Sequence, residues 1–149
     1  MSVTIAEICD AIEDTLNEAS SMSTSQSFDE LKEGIGSADV PLIQVYPESN
    51  ECAAESGTDR TSYQGGRRVK HYIIHCDLLA RQRSHLAEDM EATVNLIDEL
   101  EVIFEEQDTK PYFGEDGIQS FRWGWTRALF EYAQTQFYGA RFIIDVYVY

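Results

Sequence analysis

Residues 131–149 read EYAQTQFYGARFIIDVYVY, and this stretch decides the fold. From Gly139 onward its side chains alternate with period two and are rich in β-branched and aromatic residues, which is typical of a strand with one buried face. The apolar face consists of Ala140, Phe142, Ile144, Val146 and Val148. The other face consists of Arg141, Ile143, Asp145, Tyr147 and Tyr149. Only Arg141 and Asp145 on that face are charged, so we expect that something covers it too.

The chain has the size and composition of one globular domain, which we take to span residues 1–149. Hydrophobic residues make up 43% of it, enough for a buried core. No apolar run approaches the roughly 20 residues of a membrane helix, and the N-terminus lacks the pattern of a signal peptide. The cysteines have no short paired spacing, which argues against a disulfide framework or a zinc site. We therefore expect a soluble protein that is made in a cytoplasm.

Acidic residues dominate the chain and fall in two blocks. The formal charge is −16, with −12 in residues 1–59 and −10 in residues 84–117. Residues 60–83 carry +5 and residues 118–149 carry +1, so the basic segment can dock on an acidic neighbour, including a second copy of the chain. A chain of this charge is repelled by nucleic acid, so sequence-specific DNA binding is not expected. Two alternatives stay open for the acidic blocks: solvated helices, or a surface past which something slides without adhering.

Periodicity predicts two helices. Apolar residues from Ile5 to Leu16 recur at three- and four-residue intervals, and Thr4 forms a capping box with Glu7. The second helix follows Ser84, which we assign as its cap. Its apolar residues, which should lie on the sheet, are Leu86, Met90, Val94, Ile97, Leu100 and Phe104.

Four segments have the pattern of strands: PLIQVYP at 41–47, RVKHYIIHCDLLAR at 68–81, IQSFRWGWTRALFEYAQ at 118–134 and ARFIIDVYVY at 140–149. The polar stretch at 48–68 contains two adjacent glycines, which are typical of a hairpin tip, so we predict a projecting arm there. Helices that alternate with hairpin-joined strands indicate an α+β fold, with a mainly antiparallel sheet and both helices on one face.

No motif for catalysis or cofactor binding occurs in the chain. His71 and His75 share a strand face, but they are about 13 Å apart, too far to share a metal ion. His75 and Asp77 are about 7 Å apart and lack further ligands. Trp123 and Trp125, at alternate strand positions, are more typical of a core or an interface than of a stacking site. We therefore predict that the protein is not an enzyme and has no cofactor or metal.

The order of these elements and the closing stretch RWGWTRALFEYAQTQFYGARFIIDVYVY resemble the tail-terminator (tail-completion) proteins of long-tailed bacteriophages. The resemblance covers most of the chain in element order. It is most specific from Tyr132 to Tyr149, where the pair formed by Tyr138 and Gly139 precedes the final strand. The long N-terminal loop, which is rich in serine and threonine, departs from that pattern.

The resemblance implies a mixed sheet flanked by helices and a structural role in the virion. Six subunits would form a ring that ends the tail tube and joins it to the head connector, after assembly in the host cytoplasm. DNA would pass through the lumen without specific binding, and no membrane would take part. The implied contacts with neighbouring subunits and partners are Arg60, Arg67, Arg68, Lys70, Ile73, Leu79, Ile143, Tyr147 and Tyr149.

Two alternatives stay open at this point. Another neck or connector protein of the same fold would differ in ring stoichiometry and in the layer that it occupies. A small acidic α+β ligand-binding domain or enzyme would instead use the face of Trp123 and Trp125, or His75. It would need a concave pocket with convergent polar groups, and it would be a monomer or a dimer.

Overall fold

The computed structural model describes residues 3–19, 22, 24–29, 31, 35, 39–50, 70–132 and 134–148. In chain order the elements are α1 (Ile5–Leu16), β1 (Thr24–Gln26), β2 (Leu42–Asn50), β3 (Lys70–Gln82), α2 (Leu86–Glu105), a short 3-10 helix (Tyr112–Gly114), β4 (Ile118–Tyr132) and β5 (Thr135–Val148). Two helices and a five-stranded, mixed but mostly antiparallel sheet make this an α+β fold, which confirms the prediction.

The five strands lie in the order β1-β2-β3-β5-β4. β1 runs parallel to β2, and the other three pairs are antiparallel. β5 is paired on both sides along nearly its whole length, with Ile144 opposite Ile74 of β3 and Trp123 of β4. Alternation along β5 therefore sorts its side chains onto the two faces of the sheet.

Both helices pack on the same face of the sheet. α1 begins with the predicted capping box, in which the Thr4 amide donates to Glu7 at 2.8 Å and the Glu7 amide donates to the Thr4 hydroxyl at 3.2 Å. α1 lies against β2, whereas α2 lies against β3 and β5. Phe104 of α2 stacks on Phe142 of β5 and on Trp123 of β4, with ring centroids 5.4 and 5.1 Å apart. This aromatic stack joins α2 to the two longest strands at the centre of the core.

The first half of α2 is rotated relative to the prediction. Leu86 and Val94, which we expected to lie on the sheet, are 62% and 46% exposed. Asp89 and Thr93 are buried in their place, and the Thr93 hydroxyl donates to the Asp89 carbonyl at 2.7 Å. The apolar pattern placed this half of the helix wrongly, because polar side chains with their own partners occupy its inward side.

The buried Asp89 carboxylate anchors the start of α2. It accepts a hydrogen bond from the Ser84 amide at 2.7 Å, and it lies 3.1 Å from Nε of Arg81 in β3. The cap position belongs to His85, so the assignment of Ser84 as the cap was wrong. Ser84 holds Asp89 instead, and this satisfied carboxylate fixes the orientation of the first turn.

β1 was not predicted, because its sequence has no apolar alternation. It is three residues long and lies within the polar segment that follows α1. Its pairing with β2 is reinforced by the Gln44 side-chain amide, which donates to the Gln26 side chain at 3.1 Å. The predicted arm at 48–68 lies outside the described residues except for 48–50, which extend β2.

A second, smaller core lies on the opposite face of the sheet, where β2 begins. It consists of Ile35, Leu42, Leu79, Phe130 and Phe137, all of them buried. Leu79 is therefore part of the chain's own core, and its assignment to an intermolecular contact is corrected. Ile35 and Phe130, which cover it, are far from it in sequence, so periodicity within β3 could not reveal this.

Gly139 allows β5 to approach β3 closely. A Cβ at this position would overlap the backbone carbonyl of Leu78, which is held in the β3–β5 ladder. We expect Gly139→Ala to lower the free energy of unfolding by about 3 kcal/mol, measured by urea denaturation. Gly124→Ala in β4 is the matched control, because nothing lies within 4 Å of an added Cβ there. Equal losses in the two variants would contradict this prediction.

Candidate interaction surface

One face of the sheet carries no helix in the described part of the chain, and we call it the uncovered face. Its side chains come from the odd-numbered positions 71–79 of β3 and 137–147 of β5, with the facing positions of β2 and β4. The second core fills one end of this face. The rest of the face extends from the ion pair of Asp77 and Arg141 to the Tyr147 ring, and half-buried Ile73 and Ile143 lie between them.

An ion pair is built into the centre of the uncovered face. Asp77 of β3 lies opposite Arg141 of β5, and Arg141 donates to both Asp77 oxygens, from Nε at 2.8 Å and from Nη2 at 3.2 Å. The Tyr46 hydroxyl of β2 donates to the same carboxylate at 2.6 Å and accepts from Arg141 at 3.2 Å. Because Asp77 is buried, these donors replace the water that its carboxylate has lost.

The ion pair changes the acidity of its neighbours. Burial and the hydrogen bond to Asp77 raise the pKa of Tyr46, so this phenol stays protonated at neutral pH. The hydrogen bond to Asp77 also raises the pKa of Arg141, although burial opposes it. Burial raises the pKa of Tyr132, whose hydroxyl donates to Gln44 at 3.1 Å. Each of these groups keeps its proton, which is not the state of a general base.

His75 lies beside the ion pair with an incomplete set of partners. Its ring packs edge-on to Tyr46, with 5.6 Å between ring centroids. Its Nδ1 is buried without a hydrogen-bond partner among the described residues, and a Glu48 carboxylate oxygen is 3.6 Å away. Burial and the charge of Arg141 lower the pKa of His75 from 6.5, against the opposing effect of Glu48. His75 is therefore neutral at pH 7.

A cluster that includes two stacked aromatic rings lies at the far end of the uncovered face. The His71 ring stacks on Tyr147 with 4.4 Å between centroids, and its Nε2 lies 3.0 Å from an Asp145 oxygen. Arg122 of β4 donates to the Tyr147 hydroxyl at 3.0 Å. Side chains of three strands thus form one continuous aromatic and polar surface.

The structure brings together part of the predicted contact set. Ile73, Ile143 and Tyr147 lie on the uncovered face and are half-buried, as alternation predicted. Lys70 lies opposite the core residue Val148, so it belongs to the helix-bearing face instead. The predicted contacts that lie outside the described residues are Arg60, Arg67, Arg68 and Tyr149.

The ion pair between Asp77 and Arg141 was not predicted as a unit. Asp77 and Arg141 were both placed on the less apolar side of their strands, but only the β3–β5 register sets them opposite each other. A charged side chain on a half-buried strand needs a counter-charge. The acid Asp77 in one such strand and the base Arg141 in another were the available indication that the two strands pair. Nothing in the sequence around Tyr46 predicted its hydrogen bonds to the ion pair.

The two faces of the sheet differ in charge. α1 carries four acids and α2 carries seven, and neither helix has a base, so the helices account for −11 of the total of −16. Among the described strand residues, the uncovered face carries Glu48, Asp77, Arg122, Arg141 and Asp145, which together give −1. No helix in the described part of the chain is long and apolar enough to cross a membrane.

The two described cysteines are buried thiols. Burial, reinforced by the charge of Asp10, raises the pKa of the Cys9 thiol to about 12. Burial likewise raises the pKa of Cys76 well above its usual range. A thiol in this state is not a thiolate at neutral pH, so neither residue is a candidate nucleophile.

A cleft of about 410 Å³ opens beside the ion pair. It is lined by Leu31, Gln44, Tyr46, Asp77, Phe130, Tyr132 and Arg141. Its volume is within the range of small-ligand sites, but its polar side chains are already hydrogen-bonded to one another. A polar ligand would have to displace these internal bonds, so the arrangement suits a contact surface better than a ligand site.

Comparison with models of known protein families gives no match, and comparison with curated protein sequences gives none either.

Removing one member of the ion pair should lower the free energy of unfolding more than removing both members. Arg141→Met leaves the buried Asp77 carboxylate without its counter-charge, and we expect a loss of about 2–3 kcal/mol in the free energy of unfolding. The double variant Asp77→Leu/Arg141→Met needs no counter-charge and should regain at least half of that loss. Urea denaturation at neutral pH measures both variants. A double variant less stable than Arg141→Met would contradict this expectation.

His75 should make stability depend on pH in a defined direction. The unfolded chain binds a proton at this ring near pH 6.5, whereas the folded protein binds it only at lower pH. Between these values the unfolded state holds more protons, so stability falls as the pH falls below 6.5. We expect His75→Gln to lose less stability than the wild type between neutral pH and about pH 5.5, by urea denaturation.

The matched control for this measurement is His85→Gln, which removes one histidine at an exposed position. A His75→Gln variant with the pH dependence of the wild type would show that this half-buried ring does not carry the effect.

Proposed function

We propose that the protein is a structural subunit of a virion, which forms a ring that ends a phage tail tube and joins it to the head connector. The resemblance to tail-terminator proteins, in element order and in the closing strand, is the starting point. The mixed sheet with both helices on one face agrees with the fold that this resemblance implies. The buried thiols and the internally bonded polar groups of the uncovered face favour a structural role over catalysis.

The observation that carries the proposal is the nature of the uncovered face. The solvated face of an antiparallel sheet is normally polar, but this one presents Ile73, Ile143 and Tyr147. The Tyr147 ring is held in place by stacking on His71 and by the hydrogen bond from Arg122. Aromatic side chains that are already fixed lose little conformational entropy when a partner covers them. The face is therefore suited to contact with another protein.

Charge favours a second copy of the chain as that protein. Two chains of −16 repel each other, and the repulsion is weakest where charges are balanced locally. On the uncovered face Asp77 is paired with Arg141, and Asp145 lies against His71. The two helices, by contrast, carry eleven acids without a base. Contact through the uncovered face therefore avoids most of the repulsion.

The acidic helices have a role of their own in the proposed ring. DNA that passes through the lumen is repelled by a surface of like charge, which keeps it from adhering. We therefore place α2, with its seven acids, towards the DNA path. The remaining partners are the tail-tube protein on one side of the ring and the connector protein on the other.

Native mass spectrometry of the purified protein over a concentration series tests the proposal. The expected result is a species of six subunits whose fraction grows with concentration. A monomer at every concentration would overturn the proposal of a self-assembling ring.

Tyr147→Asp should weaken association more than folding. The variant places a charge within the proposed contact, and we expect association at least about tenfold weaker, with little change in the melting temperature of the dissociated subunit. Val102→Asp is the matched control, because it makes a similar change at a residue of α2 that is 53% exposed. Equal weakening by both variants would contradict a specific contact at the uncovered face.

A further inference from the structure

The sheet ends in two edges of different character. One is β4, which is 15 residues long and pairs only with β5 in the described part of the chain. Its outer side presents a row of backbone N–H and C=O groups that can pair with another strand. The other edge is the three-residue strand β1, beside which α1 lies. Long open edges such as β4 are liabilities that proteins normally cover.

Large apolar side chains gather along the β4 side of the molecule. Trp125 and Leu129 are 44% and 50% exposed. The Trp125 indole donates to Glu101 of α2 at 2.9 Å, which holds the ring in place. This concentration of exposed apolar surface indicates an intermolecular contact.

This side of the molecule also presents a cation. Arg127 is exposed between Trp125 and Leu129, and all three side chains point to the helix-bearing face of the sheet. A guanidinium nitrogen lies 3.8 Å from the Met90 sulfur, and Arg127 has no ion-pair partner among the described residues. We call the strip formed by Trp125, Arg127 and Leu129 the β4 edge.

The opposite end of the sheet is acidic on the same helix-bearing face. The Ser27 hydroxyl donates to Asp10 of α1 at 2.7 Å, and the Ser25 hydroxyl donates to Glu13 at 3.1 Å, so both carboxylates lie towards β1. Asp14 is exposed next to them, and α1 has no base. We call β1 together with Asp10, Glu13 and Asp14 the α1 edge.

We infer that the β4 edge of one copy docks on the α1 edge of the next copy, head to tail. Arg127 then lies against Asp10 and Asp14, while Trp125 and Leu129 are covered by the neighbouring subunit. Each copy uses two different surfaces, and contacts of that kind form a ring when the rotation between successive copies closes. The inference rests on the proposed function, because it names the contact that closes the ring.

Charge selects this arrangement over the symmetric ones. Two β4 edges against each other would place the Arg127 side chains of both copies in one contact. Two α1 edges would bring together Asp10, Glu13 and Asp14 of both copies, and α1 itself has no base. The pairing of unlike edges places Arg127 beside Asp10 and Asp14, and like-charge contacts at an interface weaken association.

Two variants that fail alone should assemble when they are mixed. Arg127→Glu reverses the charge of the β4 edge, and Asp10→Lys/Asp14→Lys reverses that of the α1 edge. Each variant alone sets like charges against each other at every contact, so we expect association at least about tenfold weaker than that of the wild type. In an equal mixture, the two reversed edges fit each other and so do the two native edges. Rings of alternating subunits should form, with three copies of each variant in a six-subunit species.

Native mass spectrometry distinguishes the outcomes, because the two variants differ in mass. Lys110→Glu makes the same change of charge as Arg127→Glu at an exposed position in the loop after α2, and it should assemble like the wild type. If the loss of the Ser27 hydrogen bond lowers the melting temperature of the double variant, Asp14→Lys alone replaces it.

A wild type that forms rings while the mixture forms none overturns the head-to-tail contact alone. Variants that assemble as well as the wild type overturn it too. A wild type that stays monomeric overturns the proposed function, and the head-to-tail contact with it.

Discussion

The double pairing of β5 is the constraint on which the rest of the structure depends. β3 pairs with one side of β5 and β4 with the other, so the backbone N–H and C=O groups of β5 are hydrogen-bonded within the sheet. The alternation of its side chains then determines which residues each face of the sheet presents. Phe142 and Ile144 on one face require the helices. Arg141 and Ile143 on the other face require a counter-charge and an apolar partner. A slip of one residue would exchange the two sets, so the register of β5 fixes both the core and the contact surface.

This register separates charge as well as apolar surface. The acids of α1 and α2 lie on the helix-bearing side of the molecule, because each amphipathic helix turns its polar side outward, away from the sheet. The opposite face receives Asp77 and Arg141 at facing positions, where they neutralise each other. A protein of strongly negative total charge therefore has one nearly neutral surface, and its position follows from strand pairing rather than from composition.

Much of this arrangement could be predicted, because strand alternation and helix capping are local. The capping box of Thr4, the main strands and the half-buried state of Tyr147 follow from neighbouring residues. The burial of Leu79 could not be predicted in that way, since Ile35 and Phe130 cover it from distant parts of the chain. The β1 strand escaped prediction because polar side chains and backbone bonds hold it, with no apolar pattern.

The open β4 edge and the acidic composition are best understood together. A long unpaired strand invites pairing with any other strand, and net charge is one means of preventing it. Copies of this chain repel each other in most orientations, and in the proposed arrangement the contact of Arg127 with the acids of α1 offsets part of that repulsion. The uncovered face is balanced within itself and favours no direction. In the proposed ring the unlike edges therefore set the direction of assembly, while the uncovered face supplies apolar contact area.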